Sequence, residues 1–360
     1  MNLLTSNIPP VRPNNKTFSD VFSAFLDVST RIDIAVGYIT ADSIAWFHEV
    51  LKSMTNIKTV NLIIGMHYWE KFSEREYKTA KEFDEFLHNE NRGSVRLVKT
   101  FKYHGKLYSW SDKNGIQASV IGSDNLSSIV TSKLIYEVSA LLSEQREAQK
   151  IKTFIDELNT NSTVDIEQYM KDMRGFRISS DLLEGHEGVS KVEPVRLSEI
   201  IASKTEIVFD IPLKGIDPSK PPSNRDGSKS NLNCFFGKGR ETPNGRILRR
   251  PWYEVELIPG KAITSLSNYP QTDTTFSVIT EDGWVFDCQV QGGKDGKKNF
   301  RSAGDLQTLG MWIKGRMEDA GVLDIRHKVT TDTIKKFGKN IIRLTKTTFE
   351  NTWYLEFGVK

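Results

Sequence analysis

The sequence predicts a chain in two parts: an α/β half with helices on both faces of its sheet, followed by a mainly β half. Three observations carry this. Apolar β-type runs alternate with helical periodicity over roughly the first 160 residues, whereas the second half contains only short β-type segments broken by Gly, Pro, Asn and Asp clusters, with one helical stretch among them. In addition, 360 residues exceed what one core usually spans, since single cores rarely grow far beyond about 250 residues.

Residues 32–39 (IDIAVGYI) form a β-rich apolar run, and the following ADSIAWFHEVLKSM places apolar side chains at 44, 47, 50, 51 and 54, the spacing of one helix face. A strand (TVNLIIGM), a Lys- and Glu-rich helix (EREYKTAKEFDEFLHNE) and a third strand (SVRLVKTF) come next. Strands alternating with helices in this way imply a largely parallel sheet. IQASVIGS and YEVSALLS add strands, and EQREAQKIKTFIDELNT adds a helix with apolar residues at 151, 154, 155 and 158. Residues 176–198 show no sustained period and read as a linker between domains at 1–175 and 199–360. Beyond it, TEIVFDIPL, WYEVELI, TTFSVIT, GWVFDCQV, NIIRLTK and TWYLEFGV suggest a mostly antiparallel barrel or sandwich. The helix DLQTLGMWIKGRMEDAG, closed by Gly321, interrupts it.

No apolar run is long enough to span a bilayer, and MNLLTSNIPPVRPNN lacks the pattern of an export signal, so a cytoplasmic protein without a membrane partner is expected. Cys234 and Cys288 are too few for a disulfide framework, and no Cys/His spacing resembles a zinc site. The net charge of +3 is unevenly spread: residues 191–360 carry 27 Lys+Arg against 21 Asp+Glu, and residues 1–190 carry 22 against 25. The basic excess therefore sits in the second half, where it favours an anionic partner.

The chemistry concentrates in HGKLYSWSDKNGIQASVIGSDNL, residues 104–126. Strand alternation points His104 and Lys106 the same way, and the next strand delivers Ser123 and Asn125 at its C-terminal edge, where open α/β sheets place ligands. Imidazole, ammonium, hydroxyl and amide together suit a phosphate: the lysine and neutral donors stabilise charge on its oxygens, and the imidazole attacks or protonates. Glu137 is placed either to hold the second imidazole nitrogen or to pair with a cation.

H-x-K, then G-S-x-N, then a Glu about a dozen residues on, resembles the phospholipase D superfamily, with IDIAVGYITADSIAWFHEVL and LIIGM extending the likeness over roughly residues 25–160. It is most similar to the phospholipase D-type restriction endonucleases of the NgoFVII and BfiI kind, which join such a nuclease domain to a C-terminal B3-like DNA-recognition domain. The resemblance implies a phospholipase D-like α/β domain, its mixed sheet carrying helices on both faces, and a mainly β B3-like pseudobarrel. It also implies that His104 forms a covalent phosphohistidine, that Lys106, Ser123 and Asn125 bind the phosphate, that Glu137 orients His104, and that no metal or other cofactor takes part. The superfamily's longer motif has an Asp five residues after the lysine, where this chain has Ser111 with Asp112 beside it. That loosens the link to lipid-cleaving members rather than to the endonucleases.

Displacement at phosphorus needs one group to attack and another to protonate the leaving oxygen, and the chain has one H-x-K. His48, His67, His88, His186 and His327 lie in no comparable setting. A homodimer placing both copies of His104 at one composite site is therefore expected, as the resemblance also implies.

Double-stranded DNA is the expected substrate and partner. Residues 224–250 (NRDGSKSNLNCFFGKGRETPNGRILRR) and 292–302 (GGKDGKKNFRS) are rich in Arg, Lys and Asn, the types that read guanine, adenine and phosphate. By resemblance they are the two arms of the B3-like fold. The candidates are Arg225, Ser228, Lys229, Asn231, Asn233, Arg240 and Arg246 in the first arm, and Lys294, Lys297, Lys298, Asn299 and Arg301 in the second, with Arg249 and Arg250 as phosphate clamps. The aromatic tail FENTWYLEFGV alternates like a core strand rather than a base-stacking platform. Competing readings are a phospholipid-cleaving phospholipase D, a non-catalytic DNA-binding protein on the same scaffold, and a metal-dependent nuclease built on Glu76-x-Lys78. No Walker-type G-x-x-x-x-G-K-[ST] occurs, so any ATP dependence is expected to come from a separate ATPase or helicase-like subunit.

Overall fold

Successive side chains of a strand face opposite sides, so the apolar runs of the first half need cover on both. The computed structural model describes residues 1–130, 135–177, 182–219, 232–241, 247–292 and 298–357, and divides the chain into units Met1–Ser179 and Ser180–Lys360. In chain order the first unit holds β1 (Asn2–Thr5), α1 (Phe18–Val28), β2 (Arg31–Val36), α2 (Ala41–Ser53), β3 (Thr59–Ile64), α3 (His67–Glu70), α4 (Glu74–Asn89) and β4 (Gly93–Val98). It continues with β5 (Lys106–Asp112), β6 (Gly115–Gly122), β7 (Val138–Leu142), α5 (Gln145–Ser162), β8 (Thr163–Asp165) and α6 (Gln168–Lys171). The strands form one sheet in the order β1-β7-β6-β5-β2-β3-β4-β8.

Alternation along β2 separates the two layers. Ile32, Ile34 and Val36 face a core with Phe22 of α1, Trp46 and Phe47 of α2 and Phe83 of α4. Ala35 faces the other way, with Ile63, Val98 and Leu107, onto Ile155 and Leu158 of α5. Capping boxes open α1 and α4: Thr17 pairs with Asp20, and Ser73 with Glu76.

The expectation of a largely parallel sheet is corrected here. Within this sheet the pairs β2–β3 and β3–β4 are parallel, and the other neighbours run antiparallel. The cause is local. Between β5 and β6 lies the turn Lys113–Asn114, in which the Asp112 carboxylate accepts from the Asn114 N–H at 2.7 Å, so the chain doubles back as a hairpin instead of crossing over through a helix.

In the second unit the strands are β9 (Ser190–Lys191), β10 (Lys204–Pro212), β11 (Arg240–Glu241), β12 (Ile247–Leu248), β13 (Thr275–Thr280), β14 (Trp284–Gly292), β15 (Lys298–Ser302), β16 (Ile341–Thr347) and β17 (Thr352–Phe357). The main sheet runs β10-β16-β17-β13-β14-β15, with β9 on β14 and one parallel pair, β13–β17. The helix Thr308–Asp319 ends as its sequence predicts, with Gly321 left-handed at φ +66°. Another helix, Thr331–Phe337, which the sequence did not announce, ends the same way, with Gly338 left-handed at φ +79°.

Two expectations change. The stretch read as a linker is part of this unit: β9 pairs with Trp284 and Val285, α7 spans Pro194–Ala202, and His186 is buried against Thr308. WYEVELI is not a strand. Trp252, Tyr253, Glu254, Val255 and Leu257 are all buried rather than alternating, and the segment touches a sheet through one bridge, Leu257 to Phe300.

Phe22 is fully buried, its ring centroid within 6.3 Å of those of Phe18, Trp46, Phe47, Tyr108 and Trp110. Phe22→Ala is expected to destabilise the first unit by about 3–5 kcal/mol in urea denaturation; a loss under about 1 kcal/mol would show that this ring cluster is not the keystone of the layer.

Candidate active site and nucleic-acid interface

β5 begins at Lys106, which pairs in register with Val36, so the lysine enters the sheet at the exit of β2. His104 stands just ahead of the strand, exposed, while Lys106 is buried. The Lys106 Nζ lies 3.1 Å from His104 Nε2 and 3.4 Å from Nδ1, and donates to the His104 carbonyl at 2.9 Å. Burial lowers the Lys106 pKa and the Glu137 carboxylate opposes that shift. Gly105 is demanded by its own neighbour: a Cβ there would lie 2.3 Å from Tyr103 Oη.

The Gly-Ser-Asp-Asn corner follows β6. A Cβ on Gly122 would lie 2.0 Å from Ser139 Oγ, so only glycine lets β6 and β7 approach here. Ser123 is exposed, its Oγ accepting from the Val138 N–H at 3.0 Å and lying 3.3 Å from the Val138 carbonyl. Asn125 Oδ1 accepts from the Tyr38 N–H at 3.5 Å, and the Tyr38 ring meets the His104 ring edge-on at 5.5 Å. Tyr38 thus links the two halves of the motif. Its hydroxyl donates to Glu70 at 2.5 Å, which raises its pKa to about 12, and Lys102 closes on Glu70 at 3.2 Å.

Glu137 stands differently from its expected role. Among the described residues no hydrogen bond joins it to His104; its charge acts on Lys106 and on Asp124. Its peptide is gripped by Ser6, whose Oγ accepts from the Glu137 N–H at 2.8 Å and whose N–H donates to the Glu137 carbonyl at 3.2 Å. Neither Tyr38 nor Asp124 was singled out in the sequence. Asp124 is buried within the corner, accepting from Ser139 Oγ at 2.5 Å, while the Tyr108 hydroxyl donates to its carbonyl at 2.9 Å. Glu76 and Lys78, the metal-nuclease alternative, serve α4 instead: Glu76 is the capping-box acid bound to Arg177 at 2.6 Å, and Lys78 pairs with Glu74 at 2.9 Å.

In the second unit Arg225, Ser228, Lys229, Asn231, Arg246, Lys294 and Lys297 lie outside the described residues. Asn233 is corrected: it is buried, its amide donating to the Val329 carbonyl and accepting from the Val329 N–H, each at 2.9 Å, so it ties backbone rather than facing bases. Arg240 and Arg250 both donate to Glu254, Arg249 donates to the Phe235 carbonyl at 2.9 Å, and Arg301 lies 3.7 Å from Glu256. Lys298 opens β15, and Asn299 and Arg301 follow on one face, opposite Gln291 and Gln289 of β14. The two glutamines went unremarked in the sequence. Their alternation with the buried Cys288 and Val290 is the signal that marks an open polar face.

The NgoFVII restriction endonuclease N-terminal PLD domain matches residues 16–173, and the NgoFVII C-terminal B3-like DNA-binding domain matches residues 199–348. The chain belongs to the NgoFVII restriction endonuclease family. It is a deoxyribonuclease, with a phospholipase D-like first unit and a B3-like second unit that makes DNA its partner. Among solved structures, NucT from Helicobacter pylori aligns at 18% identity and TM-score 0.30, covering 41% of this chain and 89% of its own. TrmBL2, an archaeal chromatin protein, aligns at 10% identity and TM-score 0.28, covering 45% of this chain and 53% of its own. No curated protein matches the sequence. Among the described residues of this NgoFVII-family chain, no helix is long and apolar enough to cross a membrane.

Burial, then the Glu137 charge, raises the Asp124 pKa to about 6 against the hydroxyls of Ser139 and Ser128, which lower it. Below about pH 4 this carboxyl is protonated folded or unfolded; as pH rises through about 6 the unfolded chain gains more from ionising, so the native state loses stability. Asp124→Asn is therefore expected to gain on wild type between pH 4 and pH 8, by up to about 3 kcal/mol in chemical denaturation. An equal stability difference at both pH values would rule out this burial effect.

Proposed function

We propose that the chain is a sequence-specific restriction endonuclease that cuts double-stranded DNA through a covalent phosphohistidine at His104, without a metal ion, in a site shared by two subunits. The observation that carries this is the Lys106 ammonium 3.1 Å from the ring of an exposed histidine. That pair presents a nucleophile beside a fixed positive charge, which is what a phosphodiester requires.

In the first step an imidazole nitrogen of His104 bonds to phosphorus and the bond to the leaving strand's oxygen breaks. His104 of the partner subunit gives that oxygen its proton. Water then attacks phosphorus, the same partner imidazole takes the water's proton, and the phosphorus–nitrogen bond breaks. Lys106, Ser123 and Asn125 hold the phosphate oxygens, while Glu137 keeps Lys106 charged in a site where burial works against it. Asp124, Tyr38 and the β7 backbone keep the corner in shape.

Support for two subunits comes from the sheet edge. Leu3 and Ile121 both pair with Ala140, so they share a face with Val138; all three are exposed apolar side chains, and the Val138 N–H donates to Ser123. Such a face next to a half-complete site fits a second copy of the chain. In the second unit, Arg240, Arg249, Arg250, Asn299 and Arg301 contact DNA, together with the arm residues outside the described set. Any ATP hydrolysis belongs to a separate subunit, and the protein acts in the cytoplasm.

His104→Ala is expected to lose plasmid cleavage by several orders of magnitude while still shifting duplex DNA in gel retardation, and the wild type is expected to cut in excess EDTA. End-labelled DNA quenched with alkaline denaturant should leave label on wild-type protein and none on the variant. Cleavage that stops on chelation would refute the metal-free route, and unlabelled wild-type protein would refute the phosphohistidine.

A further inference from the structure

Glu254 is 2% exposed, yet it sits among side chains that the DNA-reading assignment places on the nucleic acid. One of its oxygens, Oε1, accepts from Arg250 Nε at 2.9 Å and Nη2 at 2.5 Å, and also from Arg240 Nη2. Arg250 is 16% exposed and Arg240 50%, so the pair runs from the interior to the surface. Glu256 lies 3.6 Å from Arg250 and 3.7 Å from Arg301, which joins the second arm's strand to the cluster.

Three guanidinium groups against two carboxylates leave one positive charge in excess. The polar atoms are also incompletely used among the described residues. Arg301 Nε and Asn299 Oδ1 are buried with no hydrogen-bond partner among the described residues, and they lie two residues apart on the same face of β15. Together with the excess cation, and with Gln289 and Gln291 opposite, they give this face of β15 polar groups suited to a nucleic acid. A guanidinium carries five donors in a rigid fork. With its plane fixed by a buried carboxylate, its remaining N–H groups point in one direction, as bidentate recognition of a base edge needs. A guanidinium free to rotate follows phosphates instead, and these carry no sequence information.

We infer that Glu254, with Glu256 beside it, is a specificity-determining positioning residue that orients Arg240, Arg250 and Arg301 toward base edges. The inference rests on the reading of these arginines as DNA contacts. Glu254→Gln keeps the acceptor oxygen and the side-chain shape but removes the charge that locks the two forks.

The test uses full-length protein carrying His104→Ala, so that bound DNA is not cut. Wild-type binding sites are first selected from a randomised duplex library, and affinities for a selected duplex and for the unselected library are then compared across a salt series. Glu254→Gln is expected to cut the selected-to-random ratio by about tenfold or more, in line with what one well-placed guanidinium contributes to base discrimination, while affinity for random duplex rises. Glu256→Gln, at a more exposed carboxylate, is expected to lower the ratio less and serves if Glu254→Gln does not fold. An unchanged ratio in whichever variant folds would overturn the inference and leave the cluster a structural ion network. Separately, Arg240→Ala with Arg250→Ala is expected to weaken binding to the selected duplex more than to the random library, so that the ratio falls, and to flatten the salt dependence. If those two leave binding untouched, the DNA-reading assignment itself fails, whatever the glutamates do.

Discussion

An ammonium held against an imidazole is the constraint around which the first unit is organised. Burial works against the charge on Lys106 and lowers its pKa, and among the described residues Glu137 is the acid that acts back on it. The arrangement persists because the backbone is over-determined. Lys106 begins β5 in register with Val36, Gly105 fills a slot that admits no side chain, and the His104 carbonyl takes one of the lysine's hydrogens. The two apolar layers on either side of β2 hold these elements in place, so the packing of Phe22 and Ile155 serves the same geometry.

The spacing of His104 and Lys106, and of Gly122, Ser123 and Asn125, was legible because both sets are local to one strand end, where the two-residue period decides which side chains share a face. Tyr38 and Asp124 were not. Tyr38 matters through a contact to Asn125 from a loop far away in sequence, and Asp124 through burial that depends on how tightly β7 approaches β6. The hairpin that breaks the parallel run was written in Asp112-Lys113-Asn114-Gly115, yet a helix-and-strand alternation overshadowed four turn residues. Residues 182–198 looked like a linker because β9 is two residues long and gains its meaning from a partner, β14, much later in the chain.

In the second unit, residue type alone pointed to polar contacts with DNA, and burial decides among them. Asn233 and Asn299 are the same residue in comparably basic stretches, but the first spends its amide on Val329, whereas the second's oxygen has no hydrogen-bond partner among the described residues. Composition is blind to that difference. Likewise the buried run from Trp252 to Leu257 has the β-type residues of a strand, but its backbone serves other groups, such as the Lys314 ammonium that donates to the Trp252 carbonyl at 2.6 Å. The aromatic tail behaves as its alternation suggests: Trp353, Tyr354, Leu355 and Phe357 are all interior.

Strand β1 pairs Thr5 with Val138, and the next residue, Ser6, clasps the Glu137 peptide from both sides. The opening residues of the chain are thereby stitched to the acid that acts on Lys106. A fusion ahead of Met1 would leave from the opposite end of β1 to that clasp, whereas one placed after Lys360 would belong to the other unit. A load on that strand would reach the Glu137 peptide along β1, so the end chosen for a fusion bears on the candidate site.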